Sequence, residues 1–360
     1  MPKPPILVLF NRPVLPLDHP EANSEHDIFD TVADVVKILV AAGFEVSQLG
    51  IDHDPQPLLD ELREHPPLAV FNLFEGLATQ TATEVSVAAL LEWLSVPFTG
   101  CPSSAMVLGR DKIRTKHLLA ATGLPTPVYA IVETAPAPPW HGTWPAIVKP
   151  SFQDASIGID QASVVTSNEQ LAARIDYILS AYGPPALVEE FVAGREFHVN
   201  VIEDGPERSV RVLPLAEIAF KIAPERWPVY TFKAKWDEAS DEYKDSPLIV
   251  PVELPTDTTA HLGDIAARTF RLLQCRDYAR LDVRMDAAGA FHILEVNPNP
   301  YLNSLALVKG LEAIGRTHEQ FVVSLALNAI ARGEGRIAPG AIRVPVGVVT
   351  GQYPAANHSG

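Results

Sequence analysis

Cysteine is nearly absent: the 360 residues hold only Cys101 and Cys275. Two thiols so far apart in the chain supply neither a thiolate metal site nor a small-domain disulfide framework. They read as buried thiols in a reducing compartment. Long hydrophobic runs are missing too. The N-terminus MPKPPILVLFNRP carries only the short apolar stretch Ile6 to Phe10, which is inadequate for a signal peptide or a membrane span. A cytoplasmic protein is expected. Basic residues are in deficit, with 28 Lys and Arg against 44 Asp and Glu and a net charge of −16. That balance argues against nucleic acid or an anionic membrane as partner, while a local basic site for an anionic substrate stays compatible with it. Familiar signatures are also lacking. No G-x-x-x-x-G-K-[ST], H-E-x-x-H or G-x-S-x-G occurs, and no G-x-G-x-x-G follows the first strand.

What is there describes a folded chain, 47% hydrophobic and 20% charged, too long for one core. The run ILVLF (6–10) suits a buried parallel strand. A helix over 28–42 closed by Gly43, strands at 44–49 and 68–74 and a helix over 81–94 follow. This succession predicts an open, mostly parallel sheet in a first α/β domain, 1–108. A helix over 111–122, a strand over 146–150, a polar loop and a helix opened by Thr166 and Glu169 at capping-box spacing come next. Strands 186–192 and 195–202 around Gly194 complete an α+β domain, 109–200. A third block, 201–332, has strands near 209–220, an irregular segment 223–247, a helix 257–274, strands 277–286 and 290–297, and helices 303–314 and 317–332. The tail 333–360 is expected to be loosely ordered.

The chemistry gathers in RLDVRMDAAGAFHILEVNPNP. Arg280 and Asp282 share one face of a strand, and Glu295 and Asn297 share one face of the next. Pairing across the turn brings Asp282 near Glu295 and Asn297, an all-oxygen set that suits Mg²⁺ with its remaining ligands from phosphates. Arg280 is placed for an anion beside the metal. A satisfied polar cluster, with Arg280 paired to Glu295, is an equal reading of these residues alone. Lys112, Lys149 and Lys235 together can neutralise a polyphosphate, though each alone reads as a surface lysine. Ser151, Ser156 and Gly158 in the loop after Lys149 let backbone N–H groups approach phosphate oxygens. Glu189, Glu190 and Glu196 flank a turn where a strand edge can read adenine and Glu196 can accept from ribose. A charged edge strand is the alternative.

Taken in order, VPFTGCPSSAMVLGRDKIRTKHLLAATGLPTP, AIVKPS, ALVEEFVAGREF, FKAKW and ARLDVRMDAAGAFHILEVN resemble the ATP-grasp superfamily, and within it the D-alanine–D-alanine ligases, over nearly the whole chain to about residue 332. The resemblance implies a three-domain ATP-grasp architecture of α/β and α+β parts, with an N-terminal open parallel sheet and two α+β domains enclosing ATP. It implies that Lys112 and Lys149 bind ATP phosphates and that Lys235 lies on a loop closing over the γ-phosphate. Glu189, Glu190 and Val192 would lie at the adenine and Glu196 at the ribose. Asp282, Glu295 and Asn297 would hold two magnesium ions, with manganese as a substitute. Arg280 would stabilise the acyl phosphate and the tetrahedral intermediate, and Glu25 would contact the first substrate's amino group. Homodimerisation through the first domain follows by the same analogy.

Several positions depart from the family. Glu75 stands for its histidine, which suggests a cationic group near the first subsite; a solvated loop glutamate explains it equally. Ala155-Ser156 replaces a serine pair. Pro300-Tyr301-Leu302 replaces Pro-Gly-Met, leaving the Tyr301 N–H as oxyanion donor. Ala306 replaces the serine that holds the acceptor carboxylate. The resulting expectation is an ATP-dependent carboxylate–amine ligase acting on amino acids or small peptides through an acyl phosphate, with a product other than D-alanyl-D-alanine. A phosphotransferase, the D-alanine–D-alanine ligase itself and a non-catalytic nucleotide-binding protein are the alternatives.

Overall fold

The structure is a computed structural model that describes residues 3–16, 19, 25–153, 156–204, 207–221 and 226–334. The tail beyond 334, most of the Pro-rich loop before Glu25, Ala155 and the start of the 223–247 segment lie outside the described residues. Among the described residues no helix is long and apolar enough to cross a membrane.

The chain opens with β1 (Pro5–Asn11), α1 (Ile28–Ala41), β2 (Glu45–Ile51), α2 (Gln56–Glu64), β3 (Ala69–Leu73) and α3 (Thr83–Trp93). The three strands form a parallel sheet in the order β2-β1-β3, as the sequence predicts. Ile6 and Val8 turn to one face, onto Val32, Val35 and Leu39 of α1, while Leu7 and Leu9 turn to the other, with Leu58 and Leu91. Burial on both faces is why the first strand reads as an unbroken apolar run. Helix α2 was not foreseen because its apolar signal is thin: Leu58 is its one buried residue.

Two short helices follow, α4 (Ser103–Arg110) and α5 (Lys112–Ala121), hinged at Asp111. Asp111 caps α5, its Oδ1 accepting from Arg114 N at 2.9 Å. Next come β4 (Tyr129–Val132), β5 (Ala146–Pro150), β6 (Val164–Val165), α6 (Asn168–Tyr182) and β7 (Ala186–Glu190). They make a four-stranded antiparallel sheet, β4-β7-β5-β6. The cap of α6 sits one residue later than expected: Ser167 accepts from Gln170 N, and the Gln170 side chain reaches back to Thr166 N at 2.8 Å.

The last block contains β8 (Arg195–Asp204), β9 (Ser209–Val212), β10 (Ala216–Ile218), α7 (Phe232–Trp236), α8 (Asp241–Lys244), β11 (Leu248–Ile249), α9 (Thr256–Leu272), β12 (Tyr278–Met285), β13 (Phe291–Pro298), α10 (Leu305–Ala313) and α11 (His318–Glu334). The large sheet runs β11-β10-β8-β12-β13, with β9 also on β8. The expected turn at Gly194 does not pair its flanking strands: β7 belongs to the small sheet and β8 to the large one. At that crossing a Cβ on Gly194 would lie 2.0 Å from the Met285 carbonyl oxygen, so only glycine passes. The segment 226–247, expected to be irregular, holds α7 and α8, capped by Thr231 and Ser240. Helix α11 returns to the first sheet, where Phe321, Leu325 and Ala329 share a core with Ile6 and Phe71.

Candidate active site

Three neighbouring strands supply the centre of the site. Antiparallel pairing sets Asp282 of β12 between His198 of β8 and Glu295 of β13; one pleat along, Arg280 stands between Asn200 and Asn297. Directly opposed residues share a face, so six polar side chains leave the sheet on one side. A β-bulge after Asp282 shifts the register, and both Leu294 and Glu295 line the adjoining cleft.

Arg280 forks onto Asp282, with Nε donating to Oδ1 at 2.7 Å and Nη2 to Oδ2 at 3.1 Å. Its partner is thus Asp282 rather than Glu295. Burial works against the guanidinium charge, but Asp282 and Glu295 beside it hold its pKa above the ordinary value. Asn297 Nδ2 donates to Asp282 Oδ2 at 3.2 Å. Lys112 Nζ, at the start of α5, lies 3.4 Å from Glu295 Oε2 and donates to the Gln153 carbonyl at 2.7 Å. His198 is pushed well down, first by burial and then by Arg280 and Lys235, so its imidazole is neutral at pH 7.

A narrow cleft runs between the small and large sheets. It is walled by Lys149, Glu189, Glu190, Phe191 and Val192 on one side and by Glu196, His198, Arg280, Asp282, Glu295 and Asn297 on the other, with Ser156, Tyr230 and Lys235 across its mouth. Glu189 is buried between two cations: Lys149 Nζ stands 2.8 Å from Oε2, and Lys116 Nζ contacts Oε1. Burial pushes the Glu189 carboxyl up, but the two ammonium groups outweigh it and hold its pKa at about 2. Burial in turn lowers the pKa of Lys116 despite Glu189. Glu190 Oε1 accepts from Thr143 N at 2.8 Å. Glu196 Oε2 takes Arg284 Nε and Nη2 at 2.9 and 2.7 Å, and Arg284 Nη1 donates to the Val192 carbonyl at 2.8 Å.

The loop after β5 is tied to the 226–247 segment. Ser156 Oγ donates to the Tyr230 carbonyl at 2.9 Å, and Gln161 exchanges two hydrogen bonds with the Trp227 backbone. Ser151 turns elsewhere, donating to the Pro185 carbonyl at 2.8 Å. Burial raises the Tyr230 phenol to about 12. Lys235, on α7, lies 5.2 Å from the Trp236 ring centroid.

A second, wider cleft continues from the first, and His198, Tyr230, Lys235, Arg280 and Asn297 line both. Glu25, Asp27, Glu75, Tyr301 and Ala306 line its far side. Glu25 is engaged by backbone: Oε2 accepts from Val14 N and Leu15 N at 2.8 Å each, and Oε1 from Ala78 N at 3.3 Å. Glu75 is exposed on the wall of the wide cleft, and the protein around its carboxyl lifts the pKa to about 7 by desolvation, against the pull of Lys235 and with the help of Asp27. Burial also raises the Tyr301 phenol. Ala306 is buried in the first turn of α10.

The candidates from the sequence border one of the two clefts, apart from Ser151 and Gly158, which line neither, and Lys112, which reaches the first through Glu295. Reading the sequence missed Lys116, His198, Asn200 and Arg284. Strand alternation from Glu196 would have put His198 and Asn200 on the cleft face, and the four-residue spacing from Lys112 would have put Lys116 beside it.

For the metal implied by the resemblance, the donor chemistry fits. Asn297 uses its N–H on Asp282, and no described residue engages its Oδ1; the closest cation to Glu295 among the described residues is Lys112, at 3.4 Å. Among the described residues no group of three His, Cys, Asp or Glu is already gathered into a cage. Nucleotide phosphates would complete the ligand set, as Mg²⁺ sites use them.

Residues 118–326 match the family model described as D-ala D-ala ligase C-terminus. The chain belongs to the D-alanine–D-alanine ligase family. It is 31% identical over 278 residues to a D-alanine–D-alanine ligase of Desulforudis audaxviator, covering 76% of this chain and 83% of that one. It is 34% identical over 275 residues to the protein y4sG of Sinorhizobium fredii, covering 75% and 78%. The fold matches the crystal structure of a Bacillus anthracis D-alanine–D-alanine ligase complexed with ATP, with a TM-score of 0.70 at 16% identity over 92% of this chain and 99% of that one. The protein is thus an ATP-grasp carbon–nitrogen ligase, of the ATP-dependent carboxylate–amine type. The expectation that D-alanyl-D-alanine is not the product gains no support from these family members.

Proposed function

We propose that this ligase joins the carboxylate of one amino acid to the amine of a second through an acyl phosphate, releasing ADP and phosphate. The relatives' names make a pair of D-alanines the first substrates to test. The observation that carries the reading is the junction of the two clefts. Lys235, Arg280 and Asn297 line both, so a triphosphate in the narrow cleft would end where a carboxylate in the wide cleft can reach it.

In this reading adenine lies along Glu189, Glu190 and Val192, with ribose at Glu196. Lys112 and Lys149 bind phosphates, exchanging part of their contact with Glu295 and Glu189 for phosphate oxygens. Asp282, Glu295 and Asn297 hold two magnesium ions, which supply charge neutralisation at the transferring phosphoryl group. A substrate carboxylate oxygen attacks the γ-phosphorus, ADP leaves, and an acyl phosphate remains. An uncharged amine then attacks the acyl carbon. Arg280 and the Tyr301 N–H bear the oxyanion charge until phosphate departs. The 226–247 segment, already tied to the loop at Ser156, shields the acyl phosphate from water. Glu25 and Glu75 face the first substrate's ammonium, and Ala306 leaves the acceptor end of the cleft without a hydroxyl.

The test is a matrix of amino acids and small carboxylates, with D-alanine included, scored for phosphate release and for condensed product by mass. A dipeptide or amide formed in step with phosphate is expected. ADP together with a stable phosphorylated substrate and no condensed product would assign a phosphotransferase instead.

A further inference from the structure

The row that holds Asp282 and Glu295 has a third member. His198 stands directly opposite Asp282 on β8, as Glu295 does on β13, and all three side chains share the cleft face. The His198 ring is buried, and its Nε2 lies 3.8 Å from Asp282 Oδ1. That is beyond hydrogen-bond reach. It matches two donors of one ion, because ligands about 2.1 Å from a common metal stand roughly 3 to 4 Å apart. No described residue hydrogen-bonds either ring nitrogen; Tyr230 stands edge-on to the ring, 6.1 Å between centroids. Asp282 Oδ2 accepts from both Arg280 and Asn297, while Oδ1, the oxygen nearest His198, accepts from Arg280 alone among the described residues and keeps a lone-pair direction open.

We propose that His198 is a nitrogen ligand to a divalent ion held with Asp282, which rests on the metal assignment of Asp282, Glu295 and Asn297 above. An imidazole in an otherwise all-oxygen set favours first-row transition-metal ions, Mn²⁺ included, over the harder and more tightly hydrated Mg²⁺. The site therefore holds Mn²⁺ in preference to Mg²⁺, and His198 is the source of that preference.

The experiment is electron spin echo envelope modulation on tag-free protein with Mn²⁺ and ATP, alongside Mn²⁺ and Mg²⁺ titrations. The expected spectrum shows the ¹⁴N modulation of a directly bound imidazole. Labelling histidine alone with ¹⁵N should replace that signal, which needs no variant. In His198→Gln the modulation should vanish and Mn²⁺ affinity should fall about tenfold or more, with a smaller change for Mg²⁺. Absence of imidazole modulation in the unaltered protein, or its persistence in His198→Gln, overturns the proposal. Failure of the underlying metal reading looks different: Mn²⁺ affinity would then be unchanged in Glu295→Ala.

Discussion

Arg280 and Asp282 lie one pleat apart on β12 and grip each other through two hydrogen bonds, at 2.7 and 3.1 Å. The guanidinium is thereby fixed at the junction of the two clefts before any substrate arrives. Preorganised charge of this kind is what stabilises an oxyanion. Lysine keeps the charge but not the fork. Arg280→Lys should lower kcat about 10²- to 10³-fold, with a KM for ATP changed little. Steady-state kinetics on the substrate pair that supports turnover checks this; an unchanged kcat would remove Arg280 from the chemistry.

Glu189 gives a prediction about acid stability. Its carboxyl is depressed from an ordinary 4.5 to about 2 in the folded chain. A depressed carboxyl contributes stability that is complete above about pH 4.5 and is lost as pH falls toward 2. The contribution is roughly 3 kcal/mol. Urea denaturation between pH 6 and pH 3 should therefore show a shallower acid loss in Glu189→Gln than in the unaltered protein, on the order of that figure. Lys116→Ala should be worse than either at neutral pH, because it leaves the buried carboxylate with one cation.

Glu75 titrates near neutrality, its carboxyl lifted to about 7. Its stability contribution is complete below the ordinary carboxylate range and is lost as pH rises through 7. For binding the sign is opposite: only the ionised form attracts an ammonium. The KM for the first amino substrate should fall as pH rises through about 7, and Glu75→Gln should flatten that profile. A profile that is identical in both proteins would leave Glu75 a solvated loop residue.

Much of this site was visible before the structure. Asp282, Glu295 and Asn297 were readable because alternation on a strand fixes the face of every second residue, and the hairpin turn fixes the pairing. Lys149 stood out as a charge ending an apolar strand. What escaped was set by tertiary partners. Arg280 has Asp282 two residues along its own strand and Glu295 on the next strand, both on the same face, and alternation alone does not choose between them. The Gly194 crossing looks like a hairpin in sequence because two strand-like runs flank a glycine; the close approach of the Met285 carbonyl is non-local. Helix α2 hid behind a single buried leucine, and β4 is a half-exposed edge strand.

Gly100 should tolerate no side chain. Its φ is +90°, and a Cβ there would lie 2.5 Å from Asn299 Oδ1, the atom that accepts from Cys101 N at 2.7 Å. Asn299 belongs to the turn between Asn297 and Tyr301. Gly100→Ala should cost about 1 to 3 kcal/mol in urea denaturation and should lower kcat by displacing that turn. Full stability and activity would show the turn to be held by other contacts.

The central claim is that a carboxylate is activated by phosphorylation at the junction of the two clefts. With a donor substrate carrying ¹⁸O in its carboxylate, ATP, Mg²⁺ and the acceptor amine, mass analysis of the released phosphate tests it directly. One ¹⁸O per phosphate, matched by condensed product, is the predicted result. Phosphate free of the label would contradict it.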